Sequence, residues 1–444
     1  MVQIATIHNG STNLPTKRTD DGSIITDAPI REVHEDCKRL IKEQIRHGVK
    51  AEQYGFDSIF FTEHHFELTG AEFSPNPLMS QMSIASQTEE INLCQGTNII
   101  TWHDPVRFAE QTAMLDVVSD GRAQIGIGRG YQPRENEVLG GQYWGGTVQD
   151  QEKNRASFME KFDIIKKAWT EDLFSYDGEF HTIPPSYTKW HHKHEKAYLD
   201  DEVTEYEVDD VMDWKRGDFY SSDLWNQVVS GGSTLKSLSV FPQPVQDPHP
   251  PLWQPVSTYR SVDWAAANSV NGMTFAHTEG VKKNLERYFS SVEEAGWPDY
   301  RPEYDGEPFK YGWDEQRQRG FTTGRWVFNT EVGDEETFED WKRGIEHTWD
   351  FFGPFGFTAP ITGDPKKTPT AEQLIEKGVI IAGDTEHIVD RIITQAETLG
   401  YGEDLMFGCF FETSGVPNEK TDKQLKAFGE RVIPYLEEEF PGPE

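Results

Sequence analysis

The stretch SIFFTEHHFE, residues 58–67, joins an apolar run to polar residues that can carry chemistry. Its first four side chains are mostly apolar, which is typical of a strand that is buried on both faces of a sheet. Glu63, His64 and His65 follow this run. Strands buried on both faces occur in parallel α/β sheets, whose active sites lie at the carboxyl ends of the strands. The stretch therefore predicts a parallel sheet with a polar site at one edge.

Short β-branched or apolar runs recur along the chain and alternate with helical patterns, as in parallel sheets with crossover helices. Strands are predicted at Gln3–His8, Ser58–Glu63, Ile91–Ile100, Ala123–Gly128, Leu252–Ser257, Gly272–His277, Arg325–Glu331 and Leu405–Phe411. Eight such units without a sign of antiparallel pairing favour a closed barrel over an open doubly wound sheet. We expect an α/β fold, a (β/α)8 TIM barrel with long inserted loops, formed by one domain over residues 1–440.

Helical patterns fill the intervals between the predicted strands. Residues 31–57 carry apolar side chains at the spacing of one buried helical face, and Gly55 is predicted to end this helix. Further helices are predicted at Val106–Val118, Asn154–Trp169, Val262–Asn268, Val281–Ala295, Glu335–His347 and Thr385–Leu399.

Three polar, aromatic segments rich in Gly or Pro interrupt this alternation. They are an insertion at about 186–249 and lid-like loops at about 300–319 and 351–369. Long loops within a compact domain commonly serve as lids or binding loops. We expect the insertion and the 351–369 loop to close over the site and keep water out.

The chain has 42 Lys and Arg residues against 76 Asp and Glu residues, a formal net charge of −34 at pH 7. This charge repels nucleic acid phosphates and anionic lipid, so neither nucleic acid nor a membrane is expected as a partner. It also destabilises the folded chain by self-repulsion, a penalty that largely disappears at about 1 M salt, where the Debye length is about 3 Å. We therefore expect a halophilic source and an acidic protein surface.

The first ten residues, MVQIATIHNG, lack a basic leader before a long apolar block and are predicted as a strand rather than an export signal. The sequence has no apolar run of about 18 residues that could cross a bilayer. A cytoplasmic location is therefore expected. Cys37, Cys94 and Cys409 lie far apart without C-x-x-C spacing, which predicts reduced thiols rather than disulfides or a metal site.

The stretch WHHKH contains His191, His192 and His194. Neither its spacing nor a nearby cysteine cluster fits a zinc site, so we interpret it as an exposed loop and expect no metal.

Three segments near predicted strand ends resemble the bacterial luciferase-like family of flavin-dependent monooxygenases: EHHF, GTNIITWHDP and GIGRGY. The resemblance continues through residues 104–141, 256–272 and 412–438. It covers roughly residues 1–169 and 250–438, with an insertion between them. The ordered set of motifs is more specific than any one of them.

The resemblance implies an enzyme that uses reduced FMN and dioxygen to oxygenate a small organic substrate through a flavin C(4a)-hydroperoxide. Because no dinucleotide-binding G-x-G-x-x-G motif follows an early strand, a separate flavin reductase is expected to supply the reduced FMN. One alternative is a deazaflavin-dependent oxidoreductase that transfers hydride, and another is a non-catalytic flavin-binding protein. By analogy with the family, a homo-oligomer is expected.

Candidate site residues follow the second, third and fourth predicted strands. His64 is the candidate catalytic residue, because imidazole titrates near neutrality and the family keeps a histidine near the flavin. Gly128 permits close approach of the backbone, and the resemblance places it against the flavin ring, where the luciferase large subunit has a cysteine. Arg129 is the candidate cation for the phosphate or the ring edge. The resemblance places Thr97 and Asn98 beside the ring.

The stretch VSTYRSVDWAA is predicted to open a helix after the fifth strand. Ser257 and Ser261 supply hydroxyl groups, and the amino terminus of a helix attracts anions. Arg260 would strengthen this attraction. The alternative is an ordinary serine N-cap beside a surface arginine. The matching family segment binds the flavin phosphate, so the resemblance favours a phosphate site.

Overall fold

The computed structural model describes residues 1–141, 145–190, 193–214 and 233–441. The chain divides into two compact units. Unit 1 comprises residues 1–99, 115–135 and 245–444, and unit 2 comprises residues 100–114 and 136–244. This division is finer than the single domain expected over residues 1–440, and the insertion expected at 186–249 falls largely within unit 2.

Eight parallel strands of the described residues close into a barrel in unit 1. They are β1 (Val2–His8), β2 (Ser58–Phe61), β3 (Asn92–Gln95), β4 (Ala123–Gly128), β5 (Leu252–Pro255), β6 (Asn271–Thr274), β7 (Arg319–Asn329) and β8 (Leu405–Phe410). Each strand pairs with the next in chain order. Pairing of β8 with β1, which begins at Val2 and Leu405, closes the ring. The predicted TIM barrel is confirmed.

The third strand is shorter than predicted. The sequence predicts it over Ile91–Ile100, whereas β3 ends at Gln95 and a separate strand, Asn98–Ile99, pairs with the end of β4. The peptide bond that follows Gly96 is cis. Here the carbonyl oxygen of Gln95 approaches β4 so closely that a Cβ atom on Gly126 would lie 1.8 Å from it. The chain therefore leaves the regular strand register.

The longer helices lie near their predicted positions, except that those at Pro77–Ala85 and Asn418–Ala427 were not predicted. They are α1 (Ile30–Gln53), α2 (Pro77–Ala85), α3 (Pro105–Val118), α4 (Gln151–Thr170), α5 (Tyr259–Ala267), α6 (Thr278–Glu294), α7 (Glu335–Phe352), α8 (Thr385–Leu399) and α9 (Asn418–Ala427). Shorter helices lie at Pro133–Glu135, Lys193–Leu199, Val208–Val211, Ala359–Thr362, Ala371–Glu376 and Ile433–Glu439. After α1 the chain turns at Gly55, whose φ of +84° favours glycine, as predicted.

The segment at 300–319 closes the amino-terminal end of the barrel. Trp313 and Asp314 form a short strand that pairs antiparallel with the first residues of β7. Inside the barrel the Trp313 ring stacks on Trp253, with centroids 5.4 Å apart. Near the start of β1, Gln3 Nε2 donates to Glu315 Oε1 at 2.7 Å. The expectation of a lid over the site is therefore wrong for this segment, because its partners lie at the opposite end of the barrel.

The segment at 351–369 lies at the carboxyl end of the barrel. It follows α7, which is longer than predicted and ends at Phe352. The indole nitrogen of Trp341 on α7 donates to the carbonyl oxygen of Phe411, directly after β8, at 3.2 Å. A strand at Ile380–Gly383 extends the sheet beside the last residues of β7. The segment at 351–369 therefore lies on the rim where the barrel strands end.

Unit 2 is built around α4. Asp150 caps this helix by accepting from the backbone N–H groups of Glu152 and Lys153. Lys161 is fully buried, and its ammonium group donates to the carbonyl oxygens of Thr101 at 3.0 Å and His103 at 2.7 Å. Antiparallel strand pairs form between Tyr176–Asp177 and Thr182–Ile183 and between Met212–Asp213 and Thr234–Leu235.

Within the described residues, no helix is long and apolar enough to cross a membrane. The same part of the chain contains no group of three or more His, Cys, Asp or Glu residues that could hold a metal ion. His191 and His192 of the WHHKH stretch lie outside the described residues. Cys94 and Cys409 are buried and Cys37 is half-buried, and all three are free thiols.

Candidate functional site

Contacts between strands that are not neighbours identify the side chains that face the inside of the barrel. The rings of Phe60 on β2 and Trp253 on β5 lie 5.7 Å apart, although two strands separate β2 from β5. Trp253 Nε1 donates to Gln124 Oε1 on β4 at 2.7 Å, so Gln124 also faces inward. Side chains alternate along a strand, and therefore Gly126 and Gly128 share this inner face.

The inner face of β4 is covered at its carboxyl end by the chain that follows β3. A Cβ atom on Gly128 would lie 2.6 Å from Thr97 Oγ1 and 2.8 Å from Ile99 Cδ1, and one on Gly126 would collide with the Gln95 carbonyl group. Only glycine fits at these two positions without displacing the chain after β3. Both glycines are buried, and their lack of side chains lets the chain after β3 pack closely against β4.

Asn98 joins the third and fourth strands. Its side-chain nitrogen donates to Gln95 Oε1 at 3.0 Å and to the carbonyl oxygen of Gly126 at 3.1 Å. The residue is 1% exposed. Because both amide hydrogens are engaged, the side chain holds the strand ends together, and only its carbonyl oxygen is left for the predicted contact with a flavin.

His64 lies among carboxylates just after β2. Its Nδ1 atom is 3.5 Å from Glu72 Oε2 and 3.7 Å from Glu135 Oε1. Gln132 Nε2 lies 3.4 Å from both His64 Nδ1 and Glu72 Oε2. The His64 side chain is 12% exposed, whereas Glu72 and Glu135 are almost fully buried. We call His64, Glu72, Gln132 and Glu135 the His64 cluster.

The charges of this cluster favour a protonated imidazole. Burial alone would lower the pKa of His64, but the Glu72 charge, the hydrogen bond to Glu135 and the charges of Glu135 and Glu63 outweigh it and raise the pKa to about 9. Burial raises the pKa of Glu72 to about 7, against the lowering effect of His64. Tyr131, whose ring meets the His64 ring edge-on at 6.3 Å, stays neutral because burial raises its pKa.

Glu63 and His65 hold the loop after β2 in place. Glu63 Oε2 accepts from the backbone N–H of Ile99 at 2.5 Å, and Glu63 Oε1 lies 3.5 Å from His65 Nε2. The backbone N–H of His65 donates to Glu135 Oε1 at 2.6 Å. These bonds tie the loop after β2 to the chain segments that follow β3 and β4.

The helix predicted after β5 is present, but its N-cap is Thr258 rather than a serine. Thr258 and Ser261 form a capping box, in which Ser261 N donates to Thr258 Oγ1 at 3.3 Å and Thr258 N donates to Ser261 Oγ at 3.2 Å. Ser257 precedes the cap and is exposed, as is Arg260 in the first turn. The Ser261 hydroxyl is therefore engaged within the helix. Phosphate binding at this helix end stays a prediction.

The predicted site residues follow four consecutive strands of one rim. They are His64 after β2, Thr97 and Asn98 after β3, Gly128 and Arg129 at the end of β4, and Ser257, Arg260 and Ser261 after β5. Arg129 is half-buried and is followed by Gly130, whose φ of +72° turns the chain. Barrel geometry thus brings together residues far apart in the sequence.

Sequence reasoning missed the two carboxylates that surround His64. Glu72 and Glu135 are two of 76 acidic residues, and no local pattern marks them as buried. A weak signal exists at Glu135, because it lies within the segment 104–141 that carried the family resemblance. Glu72 has no such signal, since its position depends on the fold of the loop after β2.

Residues 26–197 match the family model described as luciferase-like monooxygenase. The chain is 24% identical over 421 residues to the oxygenase component of a flavin-dependent trigonelline monooxygenase from Acinetobacter baylyi, covering 90% of this chain and 91% of that protein. It is 29% identical over 156 residues to the uncharacterized protein y4vJ from Sinorhizobium fredii, covering 35% of this chain and 42% of that protein. The match therefore spans less than half the length of the second relative.

Three solved structures are similar in fold. Monooxygenase RslO1 from Streptomyces bottropensis has a TM-score of 0.66 at 16% identity, covering 98% of this chain and 99% of that chain. The oxygenating constituent of 3,6-diketocamphane monooxygenase from Pseudomonas putida, in complex with FMN, has a TM-score of 0.63 at 17% identity, covering 97% and 98%. An F420-dependent secondary alcohol dehydrogenase has a TM-score of 0.57 at 13% identity, covering 97% and 98%. At these identities the likeness establishes the fold alone.

Proposed function

We propose that this chain is a luciferase-like flavin-dependent monooxygenase that uses reduced FMN and dioxygen to oxygenate a small organic substrate. The observation that carries the proposal is the His64 cluster, which lies on the same barrel rim as Gly128 and Arg129 at the end of β4. The match of residues 26–197 to the luciferase-like family model supports it. A related fold that binds FMN supports the choice of cofactor.

In this proposal the residues that follow β4 and β5 hold the cofactor. Thr97, Asn98 and Gly128 lie beside its ring. Its phosphate group is held by Arg129 and by the amino terminus of α5, where Ser257 and Arg260 are exposed. Backbone N–H groups at a helix amino terminus favour an anion.

His64 is the proposed acid. Its raised pKa keeps the imidazole protonated at neutral pH. Because Nδ1 is turned toward the carboxylates, the proton is given from Nε2. The bound reduced flavin supplies the oxygen chemistry, including the C(4a)-hydroperoxide that the resemblance implies. Overall, one atom of dioxygen enters the substrate and the other leaves as water, and reduced FMN provides two electrons and two protons.

A separate reductase is part of the proposal. The relative from Acinetobacter baylyi is named as an oxygenase component, which supports a two-component system. A homo-oligomeric state, a cytoplasmic location, a halophilic source and closure of the 186–249 insertion over the site stay predictions.

A deazaflavin-dependent hydride transfer is the second candidate. A structure bound to an F420–acetone adduct shares the fold with a TM-score of 0.57, and the rim residues described above suit either tricyclic ring. A flavin-binding protein without turnover is the third candidate.

Oxygen balance separates the three candidates. A flavin reductase and NADH supply reduced FMN, and dioxygen consumed is compared with hydrogen peroxide released while a panel of organic compounds is screened. We expect consumption to exceed peroxide release, with the difference recovered as oxygenated product. Complete recovery as peroxide with every compound would indicate a binder. Turnover without oxygen, using a reduced deazaflavin, would indicate the hydride-transfer enzyme.

A further inference from the structure

Aromatic side chains line the barrel mouth opposite the glycines of β4. Phe275 follows β6, Trp326 lies on β7 and Phe410 ends β8. The rings of Phe275 and Phe410 lie 5.2 Å apart, although β7 separates their strands, so both point into the barrel. Trp326 and Phe410 stack with centroids 4.5 Å apart and an interplanar angle of 13°.

These rings form the uppermost inner layer of the barrel on this side. One layer below, a Cβ atom on Gly324 would lie 2.9 Å from both Ile7 and Phe275, and one on Gly408 would lie 2.5 Å from Ile7. The layer of Gly324 and Gly408 is therefore already filled. Trp326 and Phe410 are two residues further along the same strands and so stand directly above it.

The aromatic row continues from the barrel mouth to His64. Ring centroids lie 6.2 Å apart for Trp326 and Trp349, 5.9 Å for Trp349 and Phe352, and 5.8 Å for Phe352 and Phe357. Phe357 then meets Tyr131 at 5.7 Å, and Tyr131 meets His64 at 6.3 Å. The loop at 351–369 thus joins the interior rings to the His64 cluster.

Burial within this row is uneven. Trp326, Trp349 and Phe410 are at most 4% exposed, whereas Phe357 is 38% exposed and Phe275 is half-buried. Apolar surface left in water is unfavourable, and a ligand that covers it gains binding free energy. The row therefore offers aromatic surface at the mouth of the barrel, where strand β4 lies opposite β8.

Trp349 adds a polar feature to this apolar row. Its indole N–H is buried and has no acceptor among the described residues. A buried donor without an acceptor is unfavourable, so a ligand that brings an acceptor binds more tightly than one that does not.

From these contacts we infer that the substrate is a planar aromatic compound with a hydrogen-bond acceptor, bound at the exposed end of this row beside Phe357, with its acceptor toward the Trp349 N–H. That this compound is oxygenated rests on the proposed function, whereas its binding to the aromatic row does not. Aromatic rings favour edge-to-face and offset-stacked partners, which a flexible aliphatic chain does not supply. The glycine side of the mouth is left to the cofactor.

Three small organic probes test the inference. Quinoline is planar and carries an acceptor, naphthalene is planar but lacks an acceptor, and octanal has an acceptor but no ring. Binding to the full chain is measured by calorimetry with and without FMN. We expect quinoline to bind about tenfold more tightly than naphthalene, as one buried hydrogen bond implies, and octanal to bind most weakly. Octanal binding as tightly as quinoline would overturn the inference.

Two variants sharpen this test. Trp349→Phe keeps a ring but removes the N–H, so quinoline and naphthalene should then bind about equally. Phe357→Leu should weaken both by about tenfold or more. Phe241→Leu makes the same change at a side chain that is 78% exposed outside the row, and it should alter neither affinity. Melting temperatures confirm that each variant is folded.

A preference for quinoline that survives Trp349→Phe would refute the role of the indole donor. FMN binding, recorded in the same titrations, separates this inference from the proposed function. If FMN binds and the probes are not distinguished, the substrate class is wrong and the proposed function stands. If FMN does not bind and the probes are distinguished, the proposed function is wrong and the aromatic site stands.

Discussion

Nδ1 of His64 lies 3.5 Å from Oε2 of Glu72, and both side chains are largely withdrawn from solvent. The imidazole of His64 can give a proton, and the carboxylate of Glu72 stabilises its protonated form. Such a pair, on the carboxyl rim of a barrel, is a candidate for acid–base chemistry.

Glu72→Gln should lower the pH at which turnover is lost. Glutamine removes the negative charge that raises the pKa of His64 to about 9, so the imidazole should deprotonate nearer its ordinary pKa of about 6.5. The pH profile of turnover measures this shift. Glu90→Gln, at an exposed residue, is the control and should leave the profile unchanged. A Glu72→Gln profile equal to that of the wild type would remove Glu72 from this role.

His64→Gln should change how stability depends on pH. The raised pKa of His64 means that the folded chain binds the proton more tightly than the unfolded chain. This contribution is fully present below about pH 6.5 and is lost as the pH rises through about 9, with a size of about 3 kcal/mol. Denaturant unfolding at several pH values should show the wild type losing its advantage over the variant across this window. A constant difference would contradict the assigned pKa.

Lys161→Met should remove a rise of stability with pH, which is opposite in sign to the loss caused by His64. Burial lowers the pKa of Lys161 to about 7, against the charges of Asp104 and Glu160. Between about pH 7 and 10.5 the unfolded chain therefore binds more protons, and stability rises with pH. The variant should lose this rise in denaturant unfolding. Lys167→Met, at a half-exposed lysine paired with Glu171, should keep it, and loss of the rise there would count against the assignment.

Gly128→Ala should destabilise the rim. The added Cβ atom would lie 2.6 Å from Thr97 Oγ1, and relief requires movement of the chain after β3. A loss of about 1–3 kcal/mol in the free energy of unfolding is expected for such overpacking. Gly402→Ala is the matched control, because nothing lies within 4 Å of the Cβ position there. Equal stability of the two variants would show that the rim accommodates a side chain.

The strands were predictable because strand formation follows local patterns. Apolar runs such as the one in SIFFTEHHFE mark buried strands wherever they occur. The 300–319 segment was not predictable, because its position depends on Trp313 reaching Trp253, 60 residues earlier in the chain, inside the barrel. Local sequence does not reveal such a distant partner.

The sequence predicted which site residues lie at strand ends on the rim, but not which side chains surround them. His64 and Gly128 stand at strand ends that the pattern locates. Glu72 is indistinguishable in sequence from a surface acid, and only the folded loop buries it beside His64. At the helix after β5, adjacent hydroxyl residues have similar capping preferences, so the choice of Thr258 over Ser257 depends on the exact backbone path.

Calorimetric titration of the full chain with FMN tests the central claim most directly, namely that a flavin binds at the barrel rim where β4 ends. We expect saturable binding of one FMN per chain, weakened at least about tenfold by Gly128→Ala and unchanged by Gly402→Ala. Absence of binding by either FMN or a deazaflavin, or equal affinity in the wild type and Gly128→Ala, would contradict the claim.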